Sequence, residues 1–228
     1  MNVRGHERRK EICERYKVTP VYHGDLVADE VKSDAGPILT AEYYCFLVYD
    51  RDTGTRIDSI ICGMDAAADI LKLTGAESLP KADLLMPGIN AEKKPEPKEK
   101  AEDKPKEEQE PGEKAQKEKK PYDLTLDLSA WHPAARQLYE AVSLLTACWG
   151  SRDTGVLYDV LAKIRLHPDM HPGYLCKSVN TMIAKDAYGR TLGLMIKQLR
   201  KKQPTLKWFD FKDVNAYLEK KGIESKFG

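Results

Sequence analysis

The segment 91–120 limits what this chain of 228 residues can fold into more than any other part of the sequence. It holds ten Lys and ten Asp or Glu, and its apolar residues are only Ala, Gly and Pro. Such a segment cannot bury enough apolar surface to offset the entropy that is lost on ordering. We therefore expect 91–120 to be a disordered charged linker between a domain at 1–90 and a domain at 121–228.

Charge and cysteine content restrict the compartment and the partners. Residues 1–90 carry 11 Lys or Arg against 15 Asp or Glu, a balance of −4, whereas residues 121–228 carry 16 against 11, a balance of +5. A mildly basic second half is compatible with nucleic-acid contact, but +5 is small for a dedicated DNA-binding protein. The five scattered cysteines include no C-x-x-C pair, which predicts reduced thiols. Since no secretory signal or membrane span is visible, we expect a cytoplasmic protein that does not enter a membrane.

The first half has the pattern of a small α+β domain. The run 41–49, A-E-Y-Y-C-F-L-V-Y, is apolar at successive positions and predicts a strand that is covered on both faces. The run 56–62 follows a polar turn and predicts its hairpin partner, while Pro20 is typical of an edge strand. One helix with Asp65 as its N-cap is expected to pack on this sheet.

The second half predicts about five short amphipathic helices with brief connections, which is typical of a compact all-α domain. They are expected to begin near residues 133, 154, 174, 191 and 210. Thr191 and Asp210 have the residue types and positions of N-caps for the last two helices.

Four residues of metal-binding types occur within ten positions: His167, Asp169, His171 and Cys176. Both histidines precede proline, so they cannot share a helical face, and no second C-x-x-C or H-x-x-x-H completes a tetrahedral site. This pattern favours an ordinary polar loop. We expect no bound metal and no cofactor.

Cys62 is the one thiol in a position that can favour reactivity. It ends a predicted strand just before a helix, and a thiol at a helix N-terminus can have a lowered pKa. A nucleophilic cysteine also needs a base, and His23 is the nearest histidine candidate in the sequence. Because free cysteine is among the most buried residue types, we expect Cys62 to be a core residue and assign no catalytic residue.

The predicted fourth helix carries the strongest candidate for a binding site. Its cations and the two aromatic residues that follow form the candidate set for a partner or a nucleic acid: Arg190, Lys197, Arg200, Lys201, Lys202, Trp208 and Phe209. A helix, a turn with glycine and a basic helix form the outline of a helix-turn-helix. Cations near a helix C-terminus are also favoured by the helix dipole alone. The aromatic pair is either an exposed partner anchor or, as we expect, packing over a helix junction.

These patterns predict an α+β N-terminal domain and an all-α C-terminal domain of about five helices. We expect a non-enzymatic adaptor or regulator with two modules, each binding a macromolecule, most readily a protein, while the linker gives reach. One alternative is a nucleic-acid-binding regulator that binds DNA or RNA through 190–202. A further alternative is a small thiol-dependent enzyme that uses Cys62.

Overall fold

The computed structural model describes residues 1–27, 30–86, 128–149 and 155–228, so the predicted linker at 91–120 lies outside the described residues. The elements of the first half are α1 (His6–Arg15), β1 (Tyr16–Asp25), β2 (Val31–Lys32), β3 (Ile38–Leu39), β4 (Glu42–Asp50), β5 (Arg56–Cys62) and α2 (Met64–Thr74). β1, β4 and β5 form an antiparallel sheet, and β2 pairs with β3 in a separate ribbon. The predicted α+β class is confirmed.

The strand order in the sheet is β1-β4-β5, which makes β4 the central strand. Its unbroken apolar sequence fits this position, because a central strand with both faces covered has no solvent-facing side. β1 is an edge strand, and its register with β4 shifts between Pro20 and Tyr22. Proline is tolerated there because an edge strand does not need every backbone N–H for the ladder.

The two faces of the sheet lie in two different hydrophobic clusters. Phe46 points to the face that is covered by α1 and α2, where it packs with Ile12 and Ile70. Leu47 points to the opposite face and belongs to the cluster that contains Leu161 from the second half of the chain. The sheet is therefore a middle layer between two helical layers.

The described part of the second half contains five helices, as the sequence predicts: α3 (Pro133–Trp149), α4 (Gly155–Leu166), α5 (Gly173–Ala184), α6 (Leu192–Lys202) and α7 (Lys212–Lys220). Thr191 caps α6 as predicted, because its side chain accepts a hydrogen bond from the Leu194 N–H at 3.3 Å. Among the helices of the described ranges, none is long and apolar enough to cross a bilayer.

Two predicted N-caps are wrong by one or two positions. Gly63 is the N-cap of α2, and Asp65 lies in the first turn, where a carboxylate still complements the helix dipole. Phe211 is the N-cap of α7. Asp210 instead accepts a hydrogen bond from the Lys212 N–H at 3.0 Å, which forms an Asx-type turn just before the helix.

A short backbone ladder also joins the two halves. The Met86 N–H donates to the Thr205 carbonyl at 2.7 Å, and the Lys207 N–H donates to the Leu84 carbonyl at 3.0 Å. The Lys207 ammonium forms an ion pair with Asp83 beside this ladder. The loop between α6 and α7 is therefore held against the segment that leaves the first half.

Candidate partner-binding surface

The amphipathic sequence of α6 determines which of its side chains are exposed. The apolar residues of one helical face are buried in the main core: Leu192, Met195, Ile196 and Leu199. A helix repeats every 3.6 residues, so the remaining side chains lie on the opposite side. That outer side exposes Leu194, Lys197 and Lys201.

The outer lysines of α6 lie in a run of cations. Residues 190–202 contain five Lys or Arg and no Asp or Glu. Within the described ranges, neither Lys197 nor Lys201 forms an ion pair. The two lysines are four residues apart and therefore share one helical face. This face therefore carries positive charge that no carboxylate of the described ranges pairs with.

Arg200 and Trp208 form a stacked pair at the edge of the same helix. The guanidinium carbon of Arg200 lies 3.8 Å from the centroid of the Trp208 ring, within the range of a cation–π contact. Arg200 Nη2 also donates a hydrogen bond to the Lys207 carbonyl at 2.7 Å, which fixes the guanidinium in place. The indole stacked on it is nevertheless 80% exposed.

The two aromatic residues that we expected to pack over the helix junction differ in exposure. Phe209 is partly buried and contacts the main core, which agrees with the expected packing. Trp208 is exposed, and the same expectation is wrong for it. The physical reason is that Arg200 supports one face of the indole, so the ring is held outside the core.

Four of the candidate binding residues adjoin one another in what we name the α6–Trp208 surface: Lys197, Arg200, Lys201 and Trp208. Lys197 and Arg200 are three residues apart on α6, so the lysine pair borders the Arg200–Trp208 stack. An exposed aromatic ring and several cations at one place can contact an acidic macromolecule.

The other two cationic candidates are placed differently. Arg190 Nη2 donates to Asp186 Oδ1 at 2.9 Å, and the hydrogen bonds from Arg190 hold the pKa of that carboxyl well below its usual range. Arg190 therefore stabilises the turn before α6. Lys202 lies on another flank of α6, where it lines a cavity of about 120 Å³ together with Arg190.

The geometry of α5 and α6 differs from that of a helix-turn-helix in two respects. Seven residues separate the helices, from 185 to 191, whereas the DNA-binding motif uses a turn of about 3–4 residues. The motif also contacts bases with the N-terminal part of its second helix. In α6 that part is partly covered, because a Cβ added at Gly193 would lie 3.3 Å from the Gly228 Cα.

Cys62 lies in the sheet core, and His23 is not adjacent to its thiol. Pairing across the three strands aligns His23 with Tyr44 and Tyr44 with Cys62, so the tyrosine stands between the histidine and the cysteine. Cys62 is fully buried, and burial raises the pKa of its thiol to about 12. This environment is typical of an inert core cysteine.

The four residues of metal-binding types do not form a common cluster. His167 and Asp169 are exposed, whereas Cys176 is buried. The His171 ring lies 4.9 Å from the ring of His132, a residue that the sequence analysis did not single out. Within the described residues, no three or more His, Cys, Asp or Glu side chains are placed to hold a metal ion.

The structure contains a charged network at the end of β1 that the sequence analysis did not predict. His23 Nε2 lies 3.4 Å from Glu42 Oε2, and the Lys81 ammonium lies 3.0 Å from Glu42 and 3.1 Å from Asp25. Burial alone raises the pKa of Glu42, but the hydrogen bond from Lys81 and the contact with His23 lower it below its ordinary value. Because Lys81 pairs with carboxylates at the end of β1 and at the start of β4, this network holds the chain at Lys81 against the sheet.

Comparison with known proteins identifies the family of the chain. A family model matches residues 1–225, so the chain belongs to the family described as Uncharacterised conserved protein UCP028583. No curated protein and no solved structure matches the chain. The match includes both halves of the chain, the sheet as well as the helical region.

Proposed function

We propose that this protein is a non-enzymatic adaptor or regulator that binds an acidic macromolecular partner through the α6–Trp208 surface. The observation that carries the proposal is the Arg200–Trp208 stack, in which an indole that is 80% exposed lies 3.8 Å from a guanidinium. Tryptophan and arginine are enriched among the residues that dominate binding energy at protein interfaces. Support from Arg200 also orders the ring before binding, which reduces the entropy lost in the complex.

The uncompensated lysines favour an acidic partner. Lys197 and Lys201 lie beside the stack and form no ion pair within the described residues. Charges at the rim of an interface mainly steer the encounter, and their effect weakens as salt screens them. We therefore expect an acidic protein surface as the partner, with Trp208 supplying most of the affinity.

The cysteine chemistry favours a non-enzymatic role over the thiol-dependent alternative. Burial raises the pKa of the Cys62 thiol to about 12, which leaves almost no thiolate near neutral pH. All five cysteines of the chain are free. Free thiols suit a reducing compartment, so we place the protein and its partner in the cytoplasm.

The adaptor hypothesis does not depend on two independently moving modules. Leu47 of the sheet and Leu161 of α4 share one hydrophobic cluster, and Asp83 pairs with Lys207. We therefore base the proposal on the α6–Trp208 surface and not on the reach of a linker.

The test is affinity capture by the full chain from an extract of the cells that naturally produce it. Trp208→Ala and the double variant Lys197→Glu/Lys201→Glu remove the two parts of the surface. Tyr174→Ala and Lys177→Glu are the matched controls, because both residues are exposed on α5. We expect proteins that the wild type and the controls retain and that both surface variants lose. Identical sets of captured proteins for all variants would contradict the proposal.

A nucleic-acid-binding regulator is the second candidate. The specific observation in its favour is that the exposed Trp208 ring can stack on a base while Lys197 and Lys201 contact phosphates. This arrangement favours a single strand over a duplex, because duplex bases are already stacked and the N-terminal part of α6 is partly covered.

This candidate is tested by fluorescence anisotropy with short labelled single-stranded RNA, single-stranded DNA and duplex DNA across a salt series. A nucleic-acid binder should prefer the single strands, lose affinity in Trp208→Ala and show a log affinity that falls linearly with log salt. Absence of binding at low salt, or binding that Trp208→Ala leaves unchanged, would exclude it.

A further inference from the structure

A separate pocket lies between the sheet and α4, where the two halves of the chain meet. Its volume is about 570 Å³, within the roughly 300–1,000 Å³ that is common for small-molecule sites. The first half contributes Lys17, Thr19 and Val21 of β1, and the second half contributes Ala162, Arg165 and Leu166 of α4. None of the described lining residues belongs to α6, so this pocket is distinct from the α6–Trp208 surface.

The charges at this pocket are of one sign. Lys17 and Arg165 line it, and no Asp or Glu is among its described lining residues. Within the described ranges, neither cation forms an ion pair. One carboxylate close to the pocket is Asp159, which raises the pKa of the lining residue Tyr49 but is paired with Arg56. The pocket therefore has positive potential without an internal counter-charge.

Part of the Arg165 guanidinium is turned toward the interior of the protein. Its Nη1 atom and the hydroxyl of Tyr139 are both buried, and among the described residues neither has a hydrogen bond of ordinary geometry. The two groups are nevertheless close, because the charge of Arg165 and a hydrogen bond from it oppose the increase that burial causes in the pKa of Tyr139. Tyr139 therefore helps to hold Arg165 at the edge of the pocket.

The helix dipole explains only part of this arrangement. Arg165 lies in the last turn of α4, where a cation is favoured by the helix C-terminus. That effect does not account for Lys17, which reaches the same pocket from β1. It also leaves unexplained why Leu166, at the apolar side of the pocket, is 72% exposed.

We propose that this pocket binds a small molecule that joins one anionic group, a phosphate or a carboxylate, to an apolar body. Arg165 and Lys17 hold the anionic group, since a guanidinium and an ammonium are the side chains that pair with such groups. The apolar body lies against Val21, Ala162 and Leu166 and covers part of the exposed Leu166 side chain. Because β1 and α4 come from different halves, the ligand also joins the two halves.

The experiment is isothermal titration calorimetry of the full chain with phenyl phosphate, phenylacetate and benzyl alcohol. The first two compounds distinguish a phosphate from a carboxylate, and the alcohol has the same ring without charge. We expect one of the anions to bind with a Kd below about 1 mM and the alcohol to bind about ten-fold more weakly or not at all.

Lys17→Met removes one lining cation at an exposed position, and Lys163→Met is its matched control because Lys163 is exposed on α4 outside the pocket. We expect the Kd of the bound anion to rise about five-fold in Lys17→Met and to stay unchanged in Lys163→Met. Arg165→Lys keeps the charge but loses the planar donor pair, so it should weaken binding as well. Failure of both anions to bind, equal binding of the alcohol, or equal affinities of the two lysine variants would overturn the proposal.

Discussion

The Asp186 carboxylate holds Arg190 in the turn before α6, so this cation is not available to the binding surface. It accepts hydrogen bonds from Trp149 Nε1 at 2.9 Å, from the Tyr188 N–H at 3.0 Å and from the Arg190 guanidinium at 2.9 Å. Its side chain is only 2% exposed. Arg190 is therefore committed to the turn between α5 and α6, and sequence spacing alone gives no sign of this.

We predict that Asp186→Asn lowers the free energy of unfolding at pH 7 by roughly 2 kcal/mol, because a buried acceptor of charge-assisted hydrogen bonds is lost. A lowered carboxyl pKa stabilises the fold only while the group is ionised. The difference between wild type and variant should therefore be complete above the ordinary carboxyl pKa of about 4 and shrink as the pH falls further. Urea unfolding across pH measures this. The exposed Asp169→Asn variant is the control, and equal effects of both substitutions would contradict the account.

The cysteines should differ in reactivity according to their burial. Burial raises the thiol pKa to about 12 for Cys62 and to about 11 for Cys148, and only Cys148 is partly exposed. We predict that iodoacetamide at pH 8 modifies Cys148 before Cys62 in the folded protein, as measured by peptide mass spectrometry. Modification of Cys62 at the same rate as Cys148 would show that its thiol is accessible.

At the residue scale, the sequence predicts exposure on regular elements better than in loops. The outward positions of Lys197 and Lys201 follow from the 3.6-residue period of α6. The exposure of Trp208 does not follow from any local pattern, because it depends on a ring contact with Arg200 eight residues earlier.

At the element scale, the strands and helices follow from the sequence, while their ends depend on local hydrogen bonds. Thr191 caps α6 as its residue type predicts, but Asp210 is displaced by one residue from the cap of α7. Both residue types suit a cap and a turn equally well, so local propensity cannot distinguish the two positions.

We predict that Thr191→Ala destabilises the protein by about 1 kcal/mol, the usual cost of removing an N-cap side chain. Thr181→Ala is the matched control, because Thr181 is exposed on α5 and its hydroxyl donates to the carbonyl of Lys177 in its own helix. Its substitution should change stability by less than about 0.5 kcal/mol. Equal changes in the urea midpoints of the two variants would argue against the cap.

At the scale of the whole molecule, the sequence predicts the two fold classes but not the contact between the halves. The apolar residues of β4 indicate that both faces are covered, and the sequence predicts α2 on one of them, yet nothing in the sequence identifies the element that covers the other face. The structure supplies α1 and α2 on one face and the helices of the second half on the other. The sequence also does not predict the hydrogen bond between Met86 and Thr205, since the two residues lie on opposite sides of the segment 91–120.

Because the halves share a core, we predict that they unfold together. The three tryptophans, Trp131, Trp149 and Trp208, report on the second half, and alkylation of Cys62 reports on the sheet of the first half. In a urea series, tryptophan fluorescence and Cys62 modification should give the same midpoint, as expected for one cooperative unit. Two separate midpoints would indicate that each half is stable alone.

The central claim is that the α6–Trp208 surface binds a macromolecular partner, and one comparison tests it most directly. The amount of partner captured by Trp208→Ala is measured against the amount captured by Tyr174→Ala, in which another exposed aromatic residue is removed. If Trp208 is the main anchor, its removal should cost about 2 kcal/mol and reduce affinity about thirty-fold, while Tyr174→Ala should match the wild type. Equal capture by the two variants would contradict the claim.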